Sequence, residues 1–178
     1  MPHSRGRKQR RARDIERDIV ALELSQLRAA HPGYNIRCGV LLLRADGRVL
    51  MVRENARCDY AGGIIGPPKG TAVAGDRDYR GAALRELFEE TGIRAADVAP
   101  VGPEIVIVRE YFRDVLFIFP FATRADDIAA RADGREISEC CWMSLAEIER
   151  ADASESTSVR RLFSCVRALM NECAEVAR

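Results

Sequence analysis

The chain has 178 residues, 47% hydrophobic and 31% charged, enough apolar material for one domain with an appendage. Apolar runs such as Val40–Leu43 and Val115–Phe119 fall far short of the ~20 residues of a membrane span, so no membrane partner is expected. The net charge of +1 hides an asymmetry, because residues 1–17 carry seven bases against Asp14 and Glu16 while the remainder is net acidic.

In chain order, residues 1–11 read as a polar, disordered arm. No apolar stretch marks that basic arm as a secretory signal, and Asp14, Glu16 and Asp18 argue against a transit peptide. Ile15, Ile19, Leu22 and Leu27 follow a helical period that predicts a helix over 14–30, stopped by "HPG" at 31–33. The boundary expected there separates a basic N-terminal segment with its helix (1–33) from a main domain (34–178). "NIRCGVLLLR", "ADG" and "RVLMVRE" read as strand, tight turn and strand. A loop rich in glycine and proline spans about 55–75. A helix is predicted over 78–91, with Gly92 as a left-handed C-terminal cap. "EIVIVREYF" and "VLFIFPF" are strand-like runs around Arg113-Asp114, and "ECCWM" is a further short strand. Ser144 and Glu147 form a capping box for "LAEIER". A last helix is expected over 156–176. Strands and helices mix without regular alternation, which predicts an α/β sandwich with a mixed sheet.

Six cysteines include no Cys-x-x-Cys pair, and His3 and His31 stand far from ligand partners, which argues against zinc. Cys38 and Cys141 lie in apolar runs and read as buried thiols of a reducing, cytoplasmic compartment.

The chemistry concentrates in "RELFEETG", residues 85–92. At ~100° per residue, Glu86, Glu89 and Glu90 fall within one arc, with Leu84, Leu87 and Phe88 opposite. The helix is expected to bury the leucine side and present a bare acidic face to a cleft. Such a face is either solvated, with Arg85 pairing Glu89 four residues on, or a site for a hard divalent cation, which takes oxygen ligands and shares them with substrate phosphates. Before the helix, "GGIIGPPKGTAVAGD" (62–76) combines flexible glycines, rigid prolines and a single cation, Lys69. A loop of this kind brings backbone N–H groups and positive charge to anionic oxygens.

From Gly70 to Ile93 the chain reads GTAVAGDRDYRGAALRELFEETGI, which resembles the signature of the Nudix hydrolases. The second half, Arg85 to Ile93, matches at every defined position. The first half departs twice: Asp76 stands where the family has Glu, and eight residues rather than seven separate it from Arg85, giving 24 residues where the pattern has 23. The resemblance spans roughly residues 36–150 and implies a Nudix-type α/β/α sandwich. It also implies hydrolysis of a diphosphate linkage in a nucleoside-diphosphate-linked substrate with Mg²⁺ or Mn²⁺. Glu86, Glu89, Glu90 and Glu136 would hold the metal, and Glu86 or Glu136 would take the proton of the attacking water. Arg85 would orient a glutamate, Lys69 would bind phosphate and Gly70 would allow close backbone approach. Glu139 and Glu110 stand behind Glu136 as candidates, and Trp142 reads as core packing.

"PPKG" at 67–70 resembles the lead-in of dinucleoside tetraphosphate hydrolases, and a related Pro-Lys-Gly occurs in messenger RNA decapping enzymes. The basic arm, suited to an RNA backbone, tilts the expectation toward capped mRNA, releasing capped nucleoside diphosphate. The alternatives are a dinucleoside polyphosphate (Ap4A-type) hydrolase, a diphosphoinositol polyphosphate phosphohydrolase and a non-catalytic RNA- or nucleotide-binding Nudix module.

Overall fold

A computed structural model describes residues 29–55, 65–109 and 113–152. The chain divides into two units, Met1–Tyr34 and Asn35–Arg178, and the sheet belongs to the second. The helix expected over 14–30 lies outside the described residues except for Ala29 and Ala30, which are helical, and the one over 156–176 lies outside entirely.

Among the described residues the sheet is mixed, with eight strands. Its spine is β1 (Asn35–Leu43) beside β7 (Asp114–Thr123), parallel in unbroken register from Asn35↔Asp114 to Leu43↔Ala122. Every other pairing among the described residues is antiparallel. β2 (Val49–Glu54) meets β1 only at Leu43↔Val49 and then diverges, pairing with β8 (Ile137–Met143) along its other edge. Two short strands within the expected glycine- and proline-rich loop, β3 (Ile65–Gly66) and β4 (Lys69–Thr71), enter the space so opened. β3 pairs with β2, and β4 takes the edge of β1 from Arg37 to Gly39. β5 (Val98–Pro100), preceded by a 3₁₀ turn at Ala95–Asp97, and β6 (Ile105–Arg109) cover the far edge of β7.

Alternation along the strands sends side chains to two cores. Leu41, Leu43, Val49, Met51, Ile107, Leu116 and Ile118 cluster with Ile148 of helix α2 (Leu145–Asp152). The expected capping box opens α2: Glu147 Oε2 accepts the Ser144 N–H at 2.7 Å, and the Glu147 N–H donates back to Ser144 Oγ at 3.3 Å. Cys38, Val40, Leu42, Phe117 and Phe121 alternate to the opposite face, all buried. There helix α1 (Tyr79–Thr91) lies across β1, with Tyr79 stacked on Phe117. The result is the helix–sheet–helix sandwich expected.

Both ends of α1 are set locally. Asp78 accepts the Gly81 N–H at 2.6 Å as N-cap, and Gly92, at φ 73°, donates its N–H to the Phe88 carbonyl. Only glycine adopts that left-handed backbone without strain.

One glycine decides where β4 can run. A Cβ on Gly39 would stand 2.6 Å from the Pro68 carbonyl oxygen, 2.7 Å from Lys69 Cβ and 2.9 Å from Ile118 Cδ1. The bare backbone lets Pro68 accept the Val40 N–H at 3.0 Å. Gly39→Ala is therefore expected to destabilise the domain by about 1–3 kcal/mol, the range for overpacking a dense core, read as a lower midpoint in urea unfolding.

Candidate active site

α1 does not present the bare acidic face expected of it. Its buried residues are Ala82, Ala83, Glu86, Leu87, Glu90 and Thr91, while Phe88 is 53% exposed and Glu89 faces outward. These buried positions span about half the helix circumference at ~100° per residue, and Glu90 falls near the middle of that arc. The short side chains of Ala82 and Ala83 leave room for this approach. The packed face thus turns toward two of the three glutamates, and Phe88, expected inside, is displaced to the outside.

Glu86 lies over β4. A Cβ on Gly70 would overlap its carboxyl group, at 2.1–2.3 Å from the carboxyl atoms, so Gly70 serves here by having no side chain. Burial raises the Glu86 pKa, and Arg85, whose Nη1 donates to Oε1 at 2.8 Å, draws it back. Glu90 is only 6% exposed and accepts the backbone N–H of Lys69 at 3.0 Å. Burial pushes its carboxyl up to about 8, against the pull of Lys69 and with help from the charges of Glu86 and Glu54. Two neighbouring carboxylates are therefore largely out of water.

Arg85 braces this arrangement. Its Nε and Nη2 hold Asp76 bidentate at 2.8 and 3.1 Å, Nη1 also reaches Glu89 at 2.8 Å, and Nη2 donates to the Thr71 carbonyl at 3.1 Å. Those partners raise the guanidinium pKa, and the same contact holds the Asp76 carboxyl below its usual range. Asp76, one residue further from Arg85 than the signature places its acid, still reaches it. Arg77 and Asp78 separate Asp76 from the first residue of α1, and the Val73 N–H donates to Asp76 Oδ2 at 2.8 Å.

Lys69 is buried, and its ammonium pairs with Glu54 Oε1 at 2.7 Å. Glu54 carries no signal in the sequence, being one acid at the end of a strand, and only the β2–β4 geometry brings it to Lys69. Glu54 stands opposite Ile137, and the Asn55 N–H donates to the Glu136 carbonyl at 2.7 Å, which brings the Glu136 turn to this end of β2. Asp133 shapes that turn by accepting the N–H groups of Arg135, Glu136 and Ile137. Glu139 pairs instead with Arg53 at 3.2 Å, and Glu110 lies outside the described residues. Trp142 is only partly buried, beneath the Arg44 guanidinium at 4.9 Å. Cys38 is fully buried as expected, while Cys141 is half-buried.

Among the described residues no three acidic, histidine or cysteine side chains converge as a ready-made metal cage. Arg85 holds Glu89, and Lys69 holds Glu90. The donor set is nonetheless all oxygen, and its two buried carboxylates gain from a cation, which fits a hard divalent ion rather than zinc. No described helix is long and apolar enough to cross a membrane.

The family model for the NUDIX domain matches residues 33–162. The chain belongs to the Nudix family. Within this Nudix domain the signature occupies β4, the turn at Asp76 and α1. Among similar solved structures is a C. elegans Ap4A hydrolase binary complex, 23% identical, covering 74% of this chain and 98% of its own, with a TM-score of 0.58. The NUDIX domain of Shewanella oneidensis NrtR complexed with ADP ribose is 16% identical, covering 80% and 92%, with a TM-score of 0.60. A MutT protein from Methanosarcina mazei Go1 is 20% identical, covering 78% and 94%, with a TM-score of 0.57. These likenesses support the fold. Comparison with curated protein sequences gives no significant match. As a Nudix pyrophosphohydrolase the chain acts on phosphoric anhydrides, and nucleotides are the substrate class of its family.

The buried carboxyl of Glu90 makes stability depend on pH. A folded pKa of about 8 lies above the unfolded value of ~4.3. The stabilisation that Glu90 contributes is thus complete below ~4.3 and lost as pH rises through about 8. Asp76 has the opposite sign, its contribution being present above its unfolded pKa and lost on acidification. In chelator, Glu90→Gln is expected to flatten the decline in melting temperature between pH 5 and 8, an interval within ~4.3 to 8. A variant profile parallel to the wild type would contradict the burial of that charge.

Proposed function

We propose that this Nudix domain hydrolyses the diphosphate bridge of a nucleoside-diphosphate-linked substrate, with capped mRNA as the preferred class and release of capped nucleoside diphosphate. The observation that carries the reading is the pair of desolvated carboxylates, Glu86 and Glu90, held side by side over β4. Holding two carboxyl groups side by side out of water penalises their charged forms, a cost that stability alone does not call for and that a bound cation would offset. Mg²⁺ or Mn²⁺ held by Glu86, Glu89, Glu90 and Glu136 would neutralise phosphate oxygens and acidify a water when bound.

The chain's own residues supply the rest. Arg85 holds Glu86 and Glu89 in place and, being fixed by Asp76, orients carboxylates rather than substrate. Glu86, with its raised pKa, is suited to accept the proton of the attacking water, and Glu136 is the second candidate. Lys69 would reach phosphate by exchanging its Glu54 partner for a phosphate oxygen. Gly70 keeps the backbone clear beneath the Glu86 carboxyl. The basic residues of 1–17 would hold RNA by its backbone.

A second reading, an Ap4A-type hydrolase, is favoured by the "PPKG" lead-in and by the similarity to the C. elegans Ap4A hydrolase. Incubation with Mn²⁺ and a panel of cap-labelled RNA, diadenosine tetraphosphate, nucleoside triphosphates and diphosphoinositol phosphates separates the two by product. Capped nucleoside diphosphate released from RNA supports decapping. Cleavage of diadenosine tetraphosphate alone supports the second reading, and no product from any substrate leaves a binding module.

With the substrate so found, Glu89→Gln and Glu90→Gln are each expected to lower kcat by ~100-fold or more, on the order of 3 kcal/mol in barrier height, with the fold retained by circular dichroism. A loss below about threefold at saturating metal, little more than 0.6 kcal/mol, would remove them as ligands. Deleting residues 1–17 is expected to weaken cleavage of capped RNA more than that of small nucleotides, and the difference should shrink at high salt.

A further inference from the structure

Among the described residues three cations lie at β4: Lys69 within it, and Arg85 and Arg37 beside it. Arg85 is engaged by Asp76, Glu86, Glu89 and the Thr71 carbonyl, and Lys69 by Glu54. Arg37 is different. It stands in β1 opposite Thr71, partly buried, and among the described residues its guanidinium makes a single hydrogen bond, from Nη2 to the Lys69 carbonyl at 3.5 Å, the outer limit of such a contact. Its Nε is closed off from water and has no acceptor. A guanidinium carries five donors and cannot discharge by losing its proton. Leaving a buried donor orphaned costs stability that an apolar side chain of the same length would not. A group kept in that state at the rim of an anhydride-cleaving site lacks an acceptor, and the acceptor it suits is anionic and forked.

The charge balance points the same way. Glu54, Asp76, Glu86, Glu89 and Glu90 surround β4, with Lys69 and Arg85 already paired among them. A polyanionic substrate entering such ground needs a fixed cation that is not already neutralised. By strand alternation Arg37 lies on the opposite side of β4 from the Gly70–Glu86 contact, because Gly70 pairs with Cys38 and the neighbouring pair is Arg37–Thr71.

We propose that Arg37 is a substrate-binding residue whose guanidinium takes a non-bridging oxygen of the substrate's diphosphate, across β4 from the carboxylates of α1. The assignment rests on the reading of the domain as a diphosphate hydrolase. Arg37 thereby grips the phosphate chain at a second point while the α1 glutamates act on the scissile bridge. No bond is made or broken at Arg37, so its contribution belongs to binding.

Arg37→Met and Arg37→Lys test this with three measurements. The first is the melting temperature in chelator, where Arg37→Met should equal or exceed the wild type because the orphaned donor is gone. The second is calorimetric titration with ADP in Ca²⁺, where Arg37→Met should bind about tenfold or more weakly and Arg37→Lys in between, as a point charge replaces a fork. The third is steady-state kinetics on whichever panel substrate is cleaved, where KM should rise by a similar factor and kcat change by less than about threefold. A melting temperature several degrees lower in Arg37→Met would make Arg37 a structural residue and overturn the proposal. So would ADP affinity within about twofold of wild type, or no binding of ADP to the wild type. If the wild type cleaves nothing in the panel, the hydrolase reading falls, and melting and ADP binding still decide Arg37. If cleavage proceeds with KM unchanged in Arg37→Met, Arg37 falls alone.

Discussion

The constraint on which this structure turns is the burial of two carboxylates side by side. Glu86 and Glu90 occupy the packed face of α1, where apolar residues would be simpler to accommodate. Like charges in a poorly solvated setting repel and lose hydration, so each needs a compensating donor. Arg85 serves Glu86, and the Lys69 backbone N–H serves Glu90. Everything near β4 follows from keeping those donors in place. Gly70 has no side chain because the Glu86 carboxyl occupies the room, and Gly39 has none because Pro68 and Lys69 pass directly over β1.

The sheet provides the rigid support that such a pair requires. β1 is held in full register by β7 on one edge, which frees its other edge to be shared between β2 at one end and β4 at the other. The divergence of β2 creates the space into which the Pro-Pro-Lys-Gly stretch is threaded. Prolines carry no N–H to lose, and the Pro68 carbonyl can still accept from Val40, so this stretch can lie beside a strand without extending the ladder. The same divergence places Glu54 beside Lys69 and brings the Glu136 turn close to Asn55.

Charge around β4 is arranged as a set of held groups. Arg85 is the hub, because a planar guanidinium can satisfy a bidentate aspartate and two glutamates at once where an ammonium could not. Asp76 shows that a hub of this kind tolerates a change in spacing: a shorter acid on a longer tether still closes the fork. Lys69 with Glu54 is a second, smaller unit, and Arg37 is left with a single long contact. Held and under-satisfied donors therefore coexist within a few residues of each other.

Much of this was legible in the linear chain. The caps of α1 at Asp78 and Gly92, the box at Ser144 and Glu147, the alternating strands and the run Arg85–Ile93 are local patterns, each decided by residues a few positions apart. Local spacing also grouped Glu86, Glu89 and Glu90 on one side of α1. It could not say which way that side faces. Helical periodicity treats glutamate as polar and therefore exposed, whereas the rotation of α1 is set by contact with β1 and β4, which favours the narrow Ala82–Ala83 surface and carries Glu86 and Glu90 inward with it. The placement of Glu54 and Arg37 likewise depends on the splayed β2 and on the pairing of β1 with β4, contacts between segments far apart in sequence. The sequence by itself determined α1, α2, the longer strands and the acidic chemistry. Only the tertiary structure decided which acids lose their water and which cations remain to meet a substrate, because solvation and charge pairing are properties of neighbours in space.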